Sequence, residues 1–323
     1  MSRAVFVRRH GGPEVLSYEE RELPPPGEDE VRVRHKAIGL NFIDTYQRTG
    51  LYQLPLPFVG GNEAAGEVTQ VGSGVTDLKV GDRVTYQGSV GAYADERNIK
   101  AGRLALIPED ISFEVAAAAT LKGVTAYYLL HETWKVSEGD SVLVHAAAGG
   151  VGSLLVPWAK HLGAFVIGTA GSEAKVEKAL AQGADHGIDY GKEDFPSRVR
   201  ELTDGRGVDV VYDGVGQATF EGSLDSLRPR GLMVSYGNAS GPVSIPNLVV
   251  LSTKGSLYLT RPSTATYMAT TEQLRTAVAA VFDAVRSGVL DVKVNQRYAL
   301  GDVEEAHRAL ESRATTGSTV LLP

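Results

Sequence analysis

The sequence predicts an α/β fold built from a doubly wound parallel sheet and a smaller β-barrel, and three features predict it. From about Gly123 onward, short apolar strands alternate with helix-like segments. One of those strands, 142–144, runs almost directly into a glycine cluster. The chain before about Lys122 is β-rich instead, with short alternating runs broken by Gly, Pro and Asp. At 323 residues, 43% of them hydrophobic, the chain is long enough for one large or two medium cores.

In order, strands are expected at 4–7, 30–37, 64–71, 83–86 and 91–98, enough for an irregular barrel, and the proline-rich 23–27 reads as a loop between two of them. The parallel sheet is expected to take strands 141–145, 165–169, 186–190, 209–215, 232–236 and 256–260. Helices at 150–162, 173–182 and 194–203 supply its early crossovers. After Pro262 come a helix at 271–287 and then strand 297–300, helix 303–311 and strand 318–322. That tail is too short to fold alone, so it is expected to rejoin the first part. The predicted domains are therefore 1–124 with 265–323, and 125–264.

Composition removes several function classes. With no cysteine there is no disulfide, thiolate nucleophile or cysteine-ligated metal, and the seven histidines show no metal-binding spacing. A net charge of −7 with interspersed signs argues against a nucleic-acid partner, which needs clustered Lys and Arg. Arg8, Arg9 and His10 interrupt the N-terminus before a signal-peptide core can form. The apolar stretch 142–159 contains His145, Gly149, Gly150, Gly152 and Pro157, which suits a strand, turn and helix better than a membrane span. No membrane association is expected, and the location expected is cytoplasmic.

The strongest local signal is Val142 to Gly152, a buried strand, a glycine turn and a helix start. In this context the glycines let backbone approach a pyrophosphate held at the helix N-terminus, the Rossmann arrangement. Gly149 and Gly152 match the second and third glycines of the G-x-G-x-x-G spacing, and Ala147 replaces the first. NAD-binding proteins carry an acidic residue about 20 positions on to hold the ribose 2′-hydroxyl. Here the second strand ends in Ala170-Gly171-Ser172, with Lys175 just beyond, so NADPH is the cofactor expected. A second reading stays open, in which Ser172 only caps the helix and Lys175 is a solvated charge.

The chain also resembles the zinc-independent quinone oxidoreductases (zeta-crystallin-like) of the medium-chain dehydrogenase/reductase superfamily. The segments that carry the resemblance are Gly11 to Leu16, Gly39 to Asp44, Gly61 to Gly66, His145 to Gly152, Tyr212 to Gly216 and Glu311-Ser312-Arg313. It implies a GroES-like β-barrel domain made from both ends of the chain, a Rossmann doubly wound sheet between them, and the cofactor in the cleft where they meet. A homodimer paired through the last Rossmann strand is implied as well. Zinc-dependent relatives carry a ligating His where this chain has Asn62, together with cysteine ligands it lacks, so a zinc alcohol dehydrogenase fails on ligand count. Reduction of an activated acceptor remains.

The resemblance implies that Asn41, Asp44, Tyr46 and Arg261 surround the nicotinamide and acceptor, with Asn41, Tyr46 and Arg261 also touching the cofactor. It carries Thr125, Gly150, Val151, Gly171, Ser172, Lys175 and Tyr190 over as cofactor residues, with Gly216, Tyr236, Gly237 and Leu259 as further contacts at strand ends. Asn41 and Asp44 equally suit a helix cap, and Arg261 a dimer salt bridge. Asp213 and His145 read as a hydrogen-bonded core carboxylate and a core imidazole. The expected activity is metal-independent NADPH:quinone reduction. Its rivals are reduction of enone or enoyl double bonds, which would need a proton donor such as Tyr46, and a non-catalytic NADPH- or RNA-binding, crystallin-like role.

Overall fold

Along the segment that begins at Glu30, residues Val31, Val33 and His35 are buried while Glu30, Arg32, Arg34 and Lys36 are not, and this period of two makes a strand with one face on a core. The structure, a computed structural model, describes residues 2–312 and 315–323; Arg313, quoted above with Glu311 and Ser312, lies outside them. In chain order the first elements are β1 (Ser2–Val7), β2 (Leu16–Arg21), β3 (Glu30–Leu40), α1 (Phe42–Thr49), β4 (Phe58–Val59), β5 (Glu63–Val71), β6 (Arg83–Gln87), β7 (Glu96–Lys100), β8 (Ala105–Leu106) and α2 (Phe113–Tyr128). Strands and helices then alternate: β9 (Ser141–Val144), α3 (Gly152–His161), β10 (Phe165–Ala170), α4 (Glu173–Ala181), β11 (His186–Asp189), α5 (Phe195–Leu202), β12 (Val208–Asp213), α6 (Phe220–Ser226) and β13 (Leu227–Ser235). The chain finishes with α7 (Val249–Thr253), β14 (Tyr258–Thr260), α8 (Thr264–Tyr267), α9 (Thr271–Arg286), β15 (Val294–Ala299), α10 (Val303–Glu311) and β16 (Ser318–Leu322).

Two compact units result. One comprises Met1–Val124, Met268–Val285 and Asp291–Pro323; the other comprises Thr125–Tyr267 and Arg286–Leu290. In the first unit, a seven-stranded sheet runs β15-β16-β3-β5-β6-β8 with β7 also on β3, and a three-stranded sheet runs β2-β1-β4. An isolated bridge joins Ala4 of β1 to Ala94, two residues before β7 begins. Val33, Ile38, Leu40, Val84, Tyr86, Tyr93, Leu104, Leu300, Val303 and Leu321 fill the space inside.

In the second unit the strands are all parallel in the order β11-β10-β9-β12-β13-β14. Numbered from β9, this is the 3-2-1-4-5-6 order of the doubly wound dinucleotide fold, whose switch point lies between β9 and β12. β12 is buried along its whole length, as a strand covered on both faces must be. Among the described residues, no helix is long and apolar enough to cross a membrane.

The expected α/β class is borne out, with differences at the level of elements. Residues 91–95 are not strand; β7 starts only at Glu96, because Gly91 takes a left-handed φ of 115° and turns the chain. The last parallel strand is the short Tyr258–Thr260 rather than 256–260, since Ser256 itself has a positive φ. Helix α2 begins inside the stretch expected to be β-rich and runs past its end. None of its residues is exposed, so the polar and apolar alternation that marks an amphipathic helix is missing.

Candidate active site

In the second unit, the turn after β9 is tight. Ala146 adopts a left-handed φ of 51°, Ala147 donates its N–H to Thr169 O at 3.0 Å, and Gly149 donates back to Ala146 O at 2.8 Å. α3 then begins at Gly152, where a Cβ would stand 2.3 Å from Ala146 O and 2.6 Å from Ala147 O. Only glycine lets the helix come this close to the strand turn, which is the role of the third glycine in a pyrophosphate-binding fingerprint. Ser153 N donates to Gly149 O at 2.8 Å and Leu155 N to Val151 O at 2.9 Å, so the turn winds directly into α3, and a helix N-terminus is where backbone dipoles favour an anion.

One strand over, β10 ends at Ala170 and passes through Gly171 to Ser172, the N-cap of α4. The Ser172 hydroxyl makes no capping bond, and Lys175 lies in the first turn of the helix. Tyr190 follows β11, and its hydroxyl comes within 2.8 Å of where a Gly171 side chain would begin. Gly171 and Tyr190 are thus brought together, with Ser172 and the start of α4 beside them. The carboxylate nearest in register is Asp189, opposite Ala170, and it accepts the Gly191 N–H at 3.0 Å.

At the ends of β12 and β13 the backbones nearly touch. A Cβ on Gly237 would lie 2.2 Å from Gly214 O, and one on Gly214 would meet the Tyr236 ring at 2.9 Å. Gly216 has a φ of 95°. Arg261, after β14, donates through Nη1 to Ser235 Oγ at 3.0 Å and Gly237 O at 2.9 Å, which places its guanidinium beside Gly237 and gives it partners inside its own unit. Leu259 packs half-buried on the apolar core of the sheet. Thr125, on α2, is buried and hydrogen-bonds Tyr128, whose ring stacks on Tyr267 at 4.8 Å.

Asp213 accepts from Val215 N at 2.7 Å, Gly216 N at 3.0 Å, Thr219 Oγ1 at 2.7 Å and Ser223 Oγ at 3.2 Å. It therefore shapes the loop that presents Gly216. His145, fully buried, is held between Thr169 Oγ1 at 2.7 Å and Ser223 Oγ at 2.9 Å, and burial depresses its pKa. Both side chains are spent on the interior.

In the first unit, Asn41 is the N-cap of α1 and its N–H donates to the Asp44 carboxylate at 2.9 Å, one half of a capping box. Asp44 also accepts from Asn62 Nδ2 at 2.7 Å and from Tyr93 Oη at 2.9 Å. The network continues from Tyr93 to His307 Nε2 at 3.0 Å, from His307 Nδ1 to Arg48 at 3.0 Å, and from Arg48 to Glu311 at 2.6 Å. Arginine can only donate, so Nδ1 of His307 accepts, Nε2 carries the proton and donates to Tyr93, and Tyr93 donates to Asp44. Burial raises Asp44 to about 6 while the Asn62, Asn41 and Tyr93 donors pull it down; burial, with help from Arg48, lowers His307 to about 3.

The Asn41 side chain donates to Glu63 Oε2 at 2.9 Å. Glu63, with no exposed surface, also accepts the Leu121 N–H at 2.5 Å and pairs with buried Lys122 at 3.5 Å. Burial pushes its carboxyl up, opposed chiefly by the Lys122 charge. Gly39 makes room for it, because a Cβ there would stand 2.2 Å from Glu63 Oε2. Tyr46, half-buried, meets Tyr52 edge-on at 5.4 Å and Phe42 at 6.3 Å, and Phe42 and Tyr52 are exposed. Glu63, Lys122 and Asn62, which surround Asn41 and Asp44 here, are not among the site residues that the sequence singles out. A lone lysine in an otherwise apolar helix was the available signal.

Two family models match the chain: an alcohol dehydrogenase GroES-like domain over residues 27–141 and a zinc-binding dehydrogenase over residues 150–282. Over their full lengths, this chain and the quinone oxidoreductase of Salmonella typhimurium are 52% identical. The chain belongs to the quinone oxidoreductase family. Its fold matches the crystal structure of Escherichia coli quinone oxidoreductase complexed with NADPH, with a TM-score of 0.97, 51% identity and full coverage of both chains. A 2-haloacrylate reductase from Burkholderia sp is 47% identical and is matched over 99% of its length by the whole of this chain. Within the family frame the first unit is the GroES-like barrel and the second the Rossmann sheet. Where zinc-dependent relatives keep a ligating His, Asn62 is tied by its amide to Asp44 and Gln47. Among the described residues no cluster of His, Asp or Glu is arranged to hold a metal.

Proposed function

We propose that the protein is an NADPH:quinone oxidoreductase that works without a metal. The observation that carries this reading is the full-length match to a quinone oxidoreductase solved with NADPH. The residues present fit that cofactor: a glycine-closed turn at a helix N-terminus, then an uncapped serine, a lysine and a tyrosine at the next strand end, where a ribose-binding carboxylate would otherwise stand. We assign Gly150 and Val151 to the pyrophosphate, Gly171, Ser172, Lys175 and Tyr190 to the adenosine phosphate, and Thr125, Gly216, Tyr236, Gly237, Leu259 and Arg261 to the rest of the cofactor. Residues 125–264 then form the NADPH-binding domain, and 1–124 with 265–323 the catalytic one.

When bound, NADPH supplies one hydride, which with one proton from solvent takes a quinone to its hydroquinone and leaves NADP+. The protein has to orient the acceptor and keep water away. Tyr46, with Phe42 and Tyr52, offers an aromatic surface suited to a flat acceptor. Asn41 is fixed by Glu63 and by the cap that Asp44 closes, so Asp44 acts through Asn41. Arg261, held by Ser235 and Gly237, contributes a fixed positive charge.

A steady-state assay of NADPH oxidation with benzoquinone, phenanthrenequinone, an enone, 2-chloroacrylate and an enoyl thioester tests the reading. Turnover is expected with the quinones. Turnover confined to the alkenes would move the assignment to double-bond reduction, a reading favoured by the haloacrylate reductase relative, and turnover with none would leave a binding role. We also assign the protein to the cytoplasm as a homodimer joined through β14. That strand ends the sheet and exposes 61% of Tyr258. Light scattering should give twice the chain mass, and Tyr258→Glu should halve it.

A further inference from the structure

Gln87 is 1% exposed, and among the described residues neither Nε2 nor Oε1 of its side chain has a hydrogen-bond partner. Burying an amide with nothing to bond forfeits its hydration, so a native structure that does so keeps the group for something else. Gln87 lies directly across from Glu63 in the β5–β6 ladder, and their side chains leave the sheet on one face. That face looks onto α2: Thr85, two residues earlier, meets Thr120 at 2.9 Å, and Glu63 binds Leu121 N and Lys122. A buried ammonium and an unspent amide thus flank one carboxylate.

We propose that Gln87 and Lys122 form the subsite that receives a carbonyl oxygen of the quinone, with Glu63 as the residue that positions Lys122 and Asn41. The inference rests on the quinone reductase reading above and names the place of its substrate. An amide suits both ends of the reaction, because Nε2 donates to the quinone carbonyl and Oε1 accepts from the hydroquinone hydroxyl. The Lys122 ammonium opposes the negative charge that gathers on that oxygen as the ring is reduced, in surroundings that exclude water. Glu63 holds the ammonium in place while Asn41 takes the other side of the same carboxylate.

The test is Gln87→Met, which keeps the shape and removes both unspent atoms. The unliganded variant should melt at or above the wild-type temperature, since it loses a buried group that had no partner. Its KM for benzoquinone and its Kd for hydroquinone, by calorimetry, should each rise about tenfold, the worth of one hydrogen bond, with the Kd for NADPH unchanged. Lys122→Met should lower kcat more than it raises KM. Wild-type values of KM and of hydroquinone Kd in Gln87→Met would overturn the proposal and give the amide to an internal water, and equal losses for NADPH and benzoquinone would overturn it too. If the wild-type protein itself fails to oxidise NADPH with benzoquinone, the functional reading falls, and the hydroquinone titration still decides the subsite.

Discussion

Lys175 sits in the first turn of α4, where helix amides and an ammonium can share one phosphate ester. Lys175→Ala should weaken NADPH about tenfold, the loss of one charge-assisted bond, and leave NADH nearly unchanged. Fluorescence titration with both nucleotides measures it, and parallel losses would remove Lys175 from cofactor choice. Gly152 works by absence. A Cβ there meets two backbone oxygens that cannot swing away, so Gly152→Ala should lower stability by about 1–3 kcal/mol in urea titration and weaken NADPH and NADH alike. On the proposed reading, Lys175 decides which nucleotide binds and Gly152 whether either does.

Helix α1 shows how an element is held from afar. Its N-terminus depends on Asp44, and Asp44 depends on donors from Tyr93 and, behind it, His307 and Arg48. Tyr93→Phe should therefore cost about 1–3 kcal/mol by leaving a buried carboxylate short of a donor, with chemical denaturation as the check. The spacing of Asn41 and Asp44 already allowed a helix cap, and the structure shows that bond formed. What the sequence could not show was the support: Tyr93 is 49 residues from Asp44 and 214 from His307, and no local pattern records such pairs. The parallel strands were legible because unbroken runs such as Val142-Leu143-Val144 stand apart from their surroundings. Helix α2 was not, since burial on every side erases its period, and it carries Lys122, so the ion pair with Glu63 was hidden along with the element.

Over the whole molecule, buried titratable groups set the response to acid. His35 and His307 are lowered to about 3, mainly by burial, so below pH 6.5 the unfolded chain binds protons that the native chain refuses. The stability they contribute is fully present above about pH 6.5 and is lost as pH falls toward 3, at about 1.4 kcal/mol per pH unit for each. Asp44 works in the opposite sense. Raised by burial to about 6 from 3.8, it takes up its proton first in the native state, so between pH 6 and 4 it offsets roughly one of the two histidines. Urea titrations should lose stability from pH 7 to 4, and Asp44→Asn should make the loss steeper between pH 6 and 4; an unchanged slope would assign the acid response elsewhere.

Strand β3 takes β16 as a neighbour along Ile38, Gly39 and Leu40, although 277 residues of chain, 41–317, lie between the strands. During synthesis, that stretch of β3 waits without its mate until residues 318–322 have left the ribosome, while the six parallel strands between them can already assemble. Until β16 is made the nascent barrel therefore keeps an open edge, the form in which a strand recruits foreign chains. Its dependence on chaperones should be set by the time β16 takes to arrive.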